Sequence, residues 1–212
     1  MDSGKRTTTG RGQRRAALVA TAADLFARTP YDDIHINDIA TAANVAHGLL
    51  FYYFKDKRGL YLAVLERTLD EIVDLHRPLA GEDTREERLR GLLRRQIDYR
   101  REHPQTLLAM MRAGGQDPEL DELFERGRRA GADFIIGVLD LRGEPPAPLR
   151  VAIRGLMGLV DEATIDWLAH DCDLDVDELE QLLYAAVVAV LTTVRSARED
   201  IYAVVDELSR TA

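Results

Sequence analysis

The chain contains a single cysteine, Cys172, which excludes an internal disulfide. A lone cysteine with no base nearby in sequence reads as an ordinary core or surface residue rather than a redox centre. Aromatics make up only 6% of the chain, and its seven prolines fall mainly between apolar-periodic stretches. With Leu and Ala dominating the remainder, that composition favours helices over an antiparallel sheet, and an all-α protein is expected. Long apolar runs are missing too. The longest weakly polar stretch, Leu182 to Val194, is 13 residues with two threonines, short of the roughly 20 needed to cross a bilayer. No transmembrane helix and no membrane partner are expected. The first residues, MDSGKRTTTGRGQRR, are basic and Gly/Thr-rich with no apolar segment behind them, unlike a secretory signal, and a cytoplasmic location is expected.

Catalytic signatures are also lacking. There is no G-x-S-x-G, no H-E-x-x-H, no glycine-rich phosphate loop and no Cys/His cluster at metal-ligand spacing. His35, His47, His76, His103 and His170 fall in different predicted elements. The expectation is therefore no enzyme, no metal and no cofactor.

What is present is enough apolar material for a real core: 46% of 212 residues, room for one large unit or two small ones. The formal charge of -9 is unevenly spread. Residues 1–57 hold eight basic and six acidic side chains, whereas 58–212 hold 20 basic and 31 acidic ones. Within the first fifteen residues Lys5, Arg6, Arg11, Arg14 and Arg15 face only Asp2. Such an end can track phosphates while the acidic remainder keeps the molecule in solution, or it is a disordered solubilising tail.

Leu18, Val19, Ala22, Leu25 and Phe26 recur at helical steps, predicting a helix over about 12–28 that stops before Pro30. A short second stripe follows, with Ile36, Ile39, Ala40 and Ala43. Asn44 then supplies a residue that tolerates the left-handed turn. In the segment HGLLFYYF, Leu50 and Phe54 lie one turn apart and face inward, leaving His47, Gly48, Leu49, Tyr52 and Tyr53 largely on the other surfaces of a two-turn helix. Two short helices joined by a tight turn after a longer one form a helix-turn-helix unit. The outer face offers donors, close backbone approach and flat amphipathic rings, which suits a major-groove helix; a three-helix packing module with surface tyrosines is the plainer alternative. Asp56 reads as an N-cap, with Lys57 in the first turn of the next helix. A cation there opposes the helix dipole and suggests an anion beyond the helix end.

Residues 14–65, RRAALVATAADLFARTPYDDIHINDIATAANVAHGLLFYYFKDKRGLYLAVL, resemble the DNA-binding domain of the TetR family of bacterial transcription regulators. The resemblance rests on Ala22, Leu25 and Phe26 of the first helix, on Ile39-Ala40 with Ala43 and Val45 in the second helix and turn, and on Tyr52 to Lys57 closing the third. It implies that His47 and Gly48 approach base edges, that Tyr52 and Tyr53 contact phosphates, that Lys57 sets its charge on the backbone with the helix N-terminus, and that Asn37 reaches DNA. There are departures. Phe51 stands where the family usually has tyrosine, and Leu49 replaces a small polar residue, placing an aliphatic side chain where it can touch a thymine methyl. Ala46 and His35 sit where Ser or Thr commonly cap the helices.

From Leu60 the periodicity continues to Arg77-Pro78, a natural lever between a basic arm with helix-turn-helix domain (1–57) and a larger helical domain (58–212). Thr84 to Glu87 form a capping box opening a helix to about Glu102, and a short helix carries Leu107, Leu108, Met110 and Met111. Asp117-Pro118 opens a helix to about Leu141, and two very apolar helices follow at about Leu149–Ala169 and Val176–Arg195, the second capped by Asp175 and Glu178. That much apolar surface on neighbouring helices suits pairing with symmetry mates in a four-helix bundle, as the resemblance implies, although core helices of a monomer fit the same pattern. Ile201–Leu208 is the last amphipathic segment. On the helix around residue 161, Arg150, Arg154, Glu162 and Asp166 form a charged stripe that reads as solvated or salt-bridged. Alternatively, Asp161 or Glu162 points inward to meet a cationic ligand group, or Arg154 an anionic one.

If the resemblance holds, Tyr99, Met110, Met111, Phe134, Met157 and Trp167 come from helices surrounding an effector cavity, although such a residue taken alone is more often ordinary core. The reading is a homodimeric repressor that binds a palindromic double-stranded DNA operator and is released by a small-molecule effector. An activator or effector-independent regulator is the alternative, and a ligand-sequestering helical protein a more distant one.

Overall fold

A computed structural model describes residues 4–104 and 118–210 of the chain. These residues form helices joined by turns and short connections, without a strand, as the composition predicts. Helix α1 spans Gly4–Phe26, α2 Ile36–Ala42, α3 His47–Phe54 and α4 Lys57–Asp74. They are followed by α5 Arg85–Glu102, α6 Pro118–Val138, α7 Ala147–Ala169, α8 Val176–Thr193 and α9 Glu199–Leu208. Single 3₁₀ turns occupy Tyr31–Asp33 and Arg195–Ala197. The short helix expected around Met110 and Met111 lies outside the described residues.

The chain forms two compact units, one from the described residues of Met1–Asp70 and His103–Leu123, the other from those of Glu71–Glu102 and Phe124–Ala212. Helices α4 and α6 each have residues in both.

In the first unit the apolar stripe of α1 (Leu18, Val19, Ala22, Phe26) closes on Ile39 and Ala40 of α2, Leu50 and Phe54 of α3, and Leu60 and Val64 of α4. Phe26, Tyr31 and Tyr61 form an aromatic cluster with ring centroids 4.7–5.9 Å apart. Burial pushes the Tyr61 phenol up to about 12, so it packs there as a neutral ring. Helix α1 begins about two turns earlier than its periodicity predicts, because helix propagates readily once the buried stripe has nucleated it.

The joints of this unit are tight. Between α2 and α3, Asn44 adopts the left-handed conformation at φ 51°, and Val45 N–H donates to the Ala40 carbonyl at 3.0 Å. Helix α3 ends at Lys55, also left-handed at φ 68°, and α4 starts two residues later. Asp56 caps it as its position implies, its Oδ1 accepting the Gly59 N–H at 2.7 Å. Gly59 sits so close to the end of α3 that a Cβ there would run into the Phe54 carbonyl oxygen.

The second unit buries Leu89, Leu93 and Ile97 of α5 with Ile135 and Val138 of α6, Ile153 and Leu156 of α7, Leu183 and Val187 of α8, and Ile201 and Val205 of α9. Both capping boxes read from the sequence form. Thr84 Oγ accepts from Glu87 N–H at 3.1 Å while Glu87 Oε2 accepts from Thr84 N–H at 2.8 Å, and Asp175 and Glu178 exchange the same pair of bonds. Helix α6 stops at Val138, short of Leu141, because Asp140 turns left-handed at φ 52°. The stretch Val176–Ala197, longer than the apolar run at 182–194, is long and apolar enough by composition alone to cross a membrane. Six α8 side chains, Leu179, Leu183, Tyr184, Val187, Val188 and Leu191, are buried in the core, which accounts for the apolarity in a helix of this unit. Arg90 stacks on the Tyr184 ring at 3.8 Å and bonds Glu180 at 2.9 Å, tying α5 to α8.

Replacing Gly59 with Ala should destabilise the first unit by about 1–3 kcal/mol, since backbone must move to admit the Cβ. Chemical denaturation checks this, and a stability equal to that of the unaltered protein would show that the α3–α4 joint is looser than its geometry indicates.

Candidate functional site

Helix α3 has only eight residues, too few to persist alone in water. It is fixed by Leu50, wholly buried, and Phe54, buried at its last turn. With those two turned inward, the helix displays His47, Gly48, Phe51 and Tyr52, all exposed, while Leu49 and Tyr53 are half-buried. Tyr52 is 60% exposed and Phe51 43%. The His47 imidazole meets the Phe51 ring edge-on at 4.7 Å, and Tyr52 meets Tyr53 at 5.2 Å. Phe51, the departure from the tyrosine that the resemblance implies, thus packs on the side chain at the start of the helix.

Ala46 supplies no side-chain cap, so the amino end of α3 offers its first amide N–H groups outward. At the start of α2, the Asp38 carboxylate accepts the His35 N–H at 2.8 Å, which replaces the expected Ser or Thr from the other side of the capping box. Asn37 is exposed in the first turn of α2. Lys57 is half-buried in the first position of α4, its ammonium 4.0 Å from the centre of the Tyr31 ring. No Cβ contact limits Gly48: open space surrounds it within 4 Å, so the protein itself does not require a glycine there.

The amino half of α1 lies beside this face. The Arg11 guanidinium stacks over Tyr52 at 4.9 Å and that of Arg15 over Phe54 at 5.1 Å.

Within the second unit a different set of side chains converges. His76, just past the end of α4, is half-buried; its Nδ1 lies 3.0 Å from the Ile72 carbonyl, its ring meets Phe134 at 5.9 Å, and its Nε2 is 3.4 Å from the Gln96 amide nitrogen. A carbonyl only accepts, so Nδ1 carries the hydrogen and Nε2 is the acceptor. Gln96 is oriented to match, since its Oε1 accepts from Arg100 at 3.3 Å. Arg100 also donates to Thr164 Oγ at 3.0 Å, the Val160 carbonyl at 3.2 Å and Asp161 Oδ1 at 2.8 Å. The Arg100 and Asp161 side chains are only 12% and 19% exposed. Asp161 does point inward, one of the alternatives left open by the sequence, and the cation it meets belongs to the chain itself. In the neighbouring charged stripe Arg154 forks onto Glu125 at 2.7 and 2.9 Å, and this pairing holds the Glu125 carboxyl well below its ordinary range, at about 2, while Arg150 and Glu162 are exposed.

Of the residues read as an effector cavity, Phe134 and Met157 gather around His76 and Gly131. The Met157 sulfur lies where a Cβ at Gly131 would come within 2.5 Å. Tyr99 donates to Glu71 at 2.8 Å. Trp167 is buried in the apolar core, with its indole N–H donating to the Leu174 carbonyl at 2.9 Å. Met110 and Met111 lie outside the described residues. His76, Gln96, Arg100 and Thr164 were not singled out from the sequence. The four-residue spacing of Gln96 and Arg100 beside buried Ile97 was the available signal, but it is shared by any charged helix face.

An exposed, rigidly seated second helix in a tight two-helix corner defines a helix-turn-helix protein of the kind that binds DNA. Residues 18–64 match the model for bacterial regulatory proteins of the tetR family. Over 170 residues the chain is 25% identical to the HTH-type transcriptional activator FasR of Mycolicibacterium smegmatis, covering 79% of this chain and 78% of that protein. The crystal structure of a tetR-family transcriptional regulator from Streptomyces coelicolor superposes with a TM-score of 0.85 at 29% identity, covering 94% of this chain and 89% of that one. The fold is shared as well by the transcriptional regulator FadR from Bacillus subtilis in complex with stearoyl-CoA, at a TM-score of 0.59, 17% identity and coverage of 79% and 96%. Residues 18–64 thus carry the DNA-binding domain described for bacterial regulatory proteins of the tetR family, and over most of its length the chain is similar to helix-turn-helix transcriptional regulators that share this fold.

Burial, with the Arg95 and Arg100 cations nearby, lowers the His76 imidazole below its ordinary range, against the opposing pull of its bonds to the Ile72 and Val73 backbone. The unfolded chain therefore binds a proton at higher pH than the folded one, and stability is lost as pH falls below about 6.5. Thermal melting of the His76→Asn variant should fall less between about pH 7 and about pH 5 than that of the unaltered protein. Parallel curves for the two would rule out His76 as a titrating group of that kind.

Proposed function

We propose that the chain is a ligand-responsive repressor that binds a palindromic operator as a homodimer and releases it when a small molecule occupies the larger domain. The observation that carries this reading is α3: its buried residues are spent on seating it, and its uncapped amino end and His47, Gly48 and Tyr52 are left outward. His47 and Gly48, with Leu49 and Asn37, address base edges, and a glycine that the protein does not need sterically admits close approach to a base pair. Tyr52, Tyr53 and Lys57 position the helix on phosphates.

Residues 1–57 act as the DNA-binding domain and 58–212 as the effector and dimerisation domain, in the cytoplasm. Val151 of α7 and Leu182 of α8 are 61% and 56% exposed, an apolar pair suited to burial against a second copy in a four-helix arrangement. The effector site draws on Tyr99, Phe134 and Met157, with Met110 and Met111. His76 and Gln96 add polar groups whose orientations are already set, an acceptor on His76 and an amide on Gln96. FadR, on the same fold, holds stearoyl-CoA, which supports a ligand role for this helical domain. Helix α4, with residues in both units, supplies the continuous element through which occupancy can alter the spacing of two α3 helices about 34 Å apart.

Activation rather than repression is the second reading, favoured by the activator FasR among the relatives. Position of the site relative to the promoter decides between them.

Selection from a randomised duplex library should recover a palindrome. His47→Ala should change the preferred base in each half-site, whereas Tyr52→Phe combined with Lys57→Ala should weaken all sequences together and lower the salt dependence by about 1 per subunit. Recovery of no symmetric sequence would overturn the reading. Leu182→Glu, at an exposed position, should leave the melting temperature of the subunit nearly unchanged while sedimentation shows a monomer. A dimer that persists in this variant would place the interface elsewhere.

A further inference from the structure

The stripe of α1 that buries Leu18 and Ala22 does not end where the core ends. Followed towards the amino terminus at the same three and four residue steps, it becomes Arg15, Arg14 and Arg11, all exposed. The turns of α1 before Leu18 extend about 20 Å, the rise of about six base pairs of duplex. They run past the recognition face: Arg11 stacks on Tyr52, the most exposed ring of α3, and Arg15 on Phe54. Among the described residues none of the three arginines has a carboxylate partner. In the second unit, by contrast, Arg85, Arg90, Arg94, Arg95 and Arg100 of α5 all pair with acids. A protein with nine more acidic than basic groups has carboxylates to spare, yet among the described residues none pairs with these three cations, one of which lies over a solvent-facing tyrosine.

We infer that Arg11, Arg14 and Arg15 form, with Tyr52, a second phosphate-binding surface that grips duplex DNA outside the groove entered by α3. The inference rests on the reading of α3 as the duplex-reading helix. Stacking is what places it. The guanidinium plane over Tyr52 keeps Arg11 from collapsing onto the protein and leaves its N–H edge for phosphate oxygens, while the tyrosine hydroxyl stays outward for the same strand. The contact carries no base code, because phosphates carry none. It lengthens the site by flanking base pairs whose sequence is indifferent, and it makes affinity more dependent on salt than the α3 contacts alone.

The test uses the full chain and a duplex of about 40 base pairs centred on the palindrome recovered by selection, against the triple variant Arg11→Ala, Arg14→Ala, Arg15→Ala. Expected are an unchanged selected palindrome, a slope of log affinity against log salt shallower by about 2 to 3 per subunit, and hydroxyl-radical protection that shrinks at the flanks only. Trimming the duplex to the palindrome should weaken the unaltered protein and leave the variant indifferent. The same slope and the same footprint for both proteins would overturn the inference while leaving the operator reading intact. If the unaltered protein selects no duplex at all, both fall. Equal melting temperatures of the two proteins confirm that exposed arginines were removed without unfolding α1, and a changed palindrome would assign them to base reading instead and overturn the inference.

Discussion

The recognition face depends on the abutment of two helix ends: the last carbonyl of α3, at Phe54, against Gly59 in the first turn of α4. An eight-residue helix gains little from its own hydrogen bonds, so its orientation is decided by what holds its two ends. At the amino end Asn44 turns the chain sharply out of α2; at the carboxyl end Lys55 takes a left-handed conformation and Asp56 caps α4 immediately. Between them Leu50 and Phe54 lock the inner face. Every residue of α3 proposed to meet DNA inherits its direction from this joint, because the remaining face of α3 points wherever the buried pair does not. The two non-glycine left-handed residues cost strain, and the packed core of the unit is what maintains them.

The second unit solves a different problem. Its apolar core would be complete without charge, yet Arg100 and Asp161 are largely withdrawn from water, with Thr164, Gln96 and the Val160 carbonyl completing the hydrogen bonds of the guanidinium. Such a pair gains little over well-packed apolar residues, because desolvation offsets its attraction. What it supplies is orientation. Arg100 fixes the Gln96 amide, the amide faces His76, and His76 stands beside Phe134 and Met157. These settled donors and acceptors beside flexible and aromatic side chains support the proposed small-molecule site in this unit.

Much of this was legible in the residues. Helix limits followed from apolar spacing and from caps at Asp56, Thr84 and Asp175, each of which forms the bonds its position implies. The helix-turn-helix was legible because its core is local: Leu18 to Val64 supply nearly all the packing, so spacing alone reports it. The interior of the second unit was not, because its polar contacts join residues sixty positions apart, such as Arg100 and Thr164. Charged residues on helices look solvated in a sequence whether or not a neighbouring helix later covers them. Trp167 shows the reverse case: a residue suited to lining a cavity has its indole N–H taken up by the Leu174 carbonyl within the core.

By itself the sequence determined that the protein is all-α, where most of its helices begin and end, and that its amino-terminal quarter is a helix-turn-helix with a particular outward face. Those properties follow from periodicity and capping, which act over three to seven residues. Only the tertiary structure decided that Asp161 turns inward onto Arg100, that Gly59 is sterically required and Gly48 is not, and that Arg11 and Arg15 of α1 lie against Tyr52 and Phe54. Each of these depends on how closely separate helices approach, and close approach is set by packing of the whole unit, to which no local pattern has access.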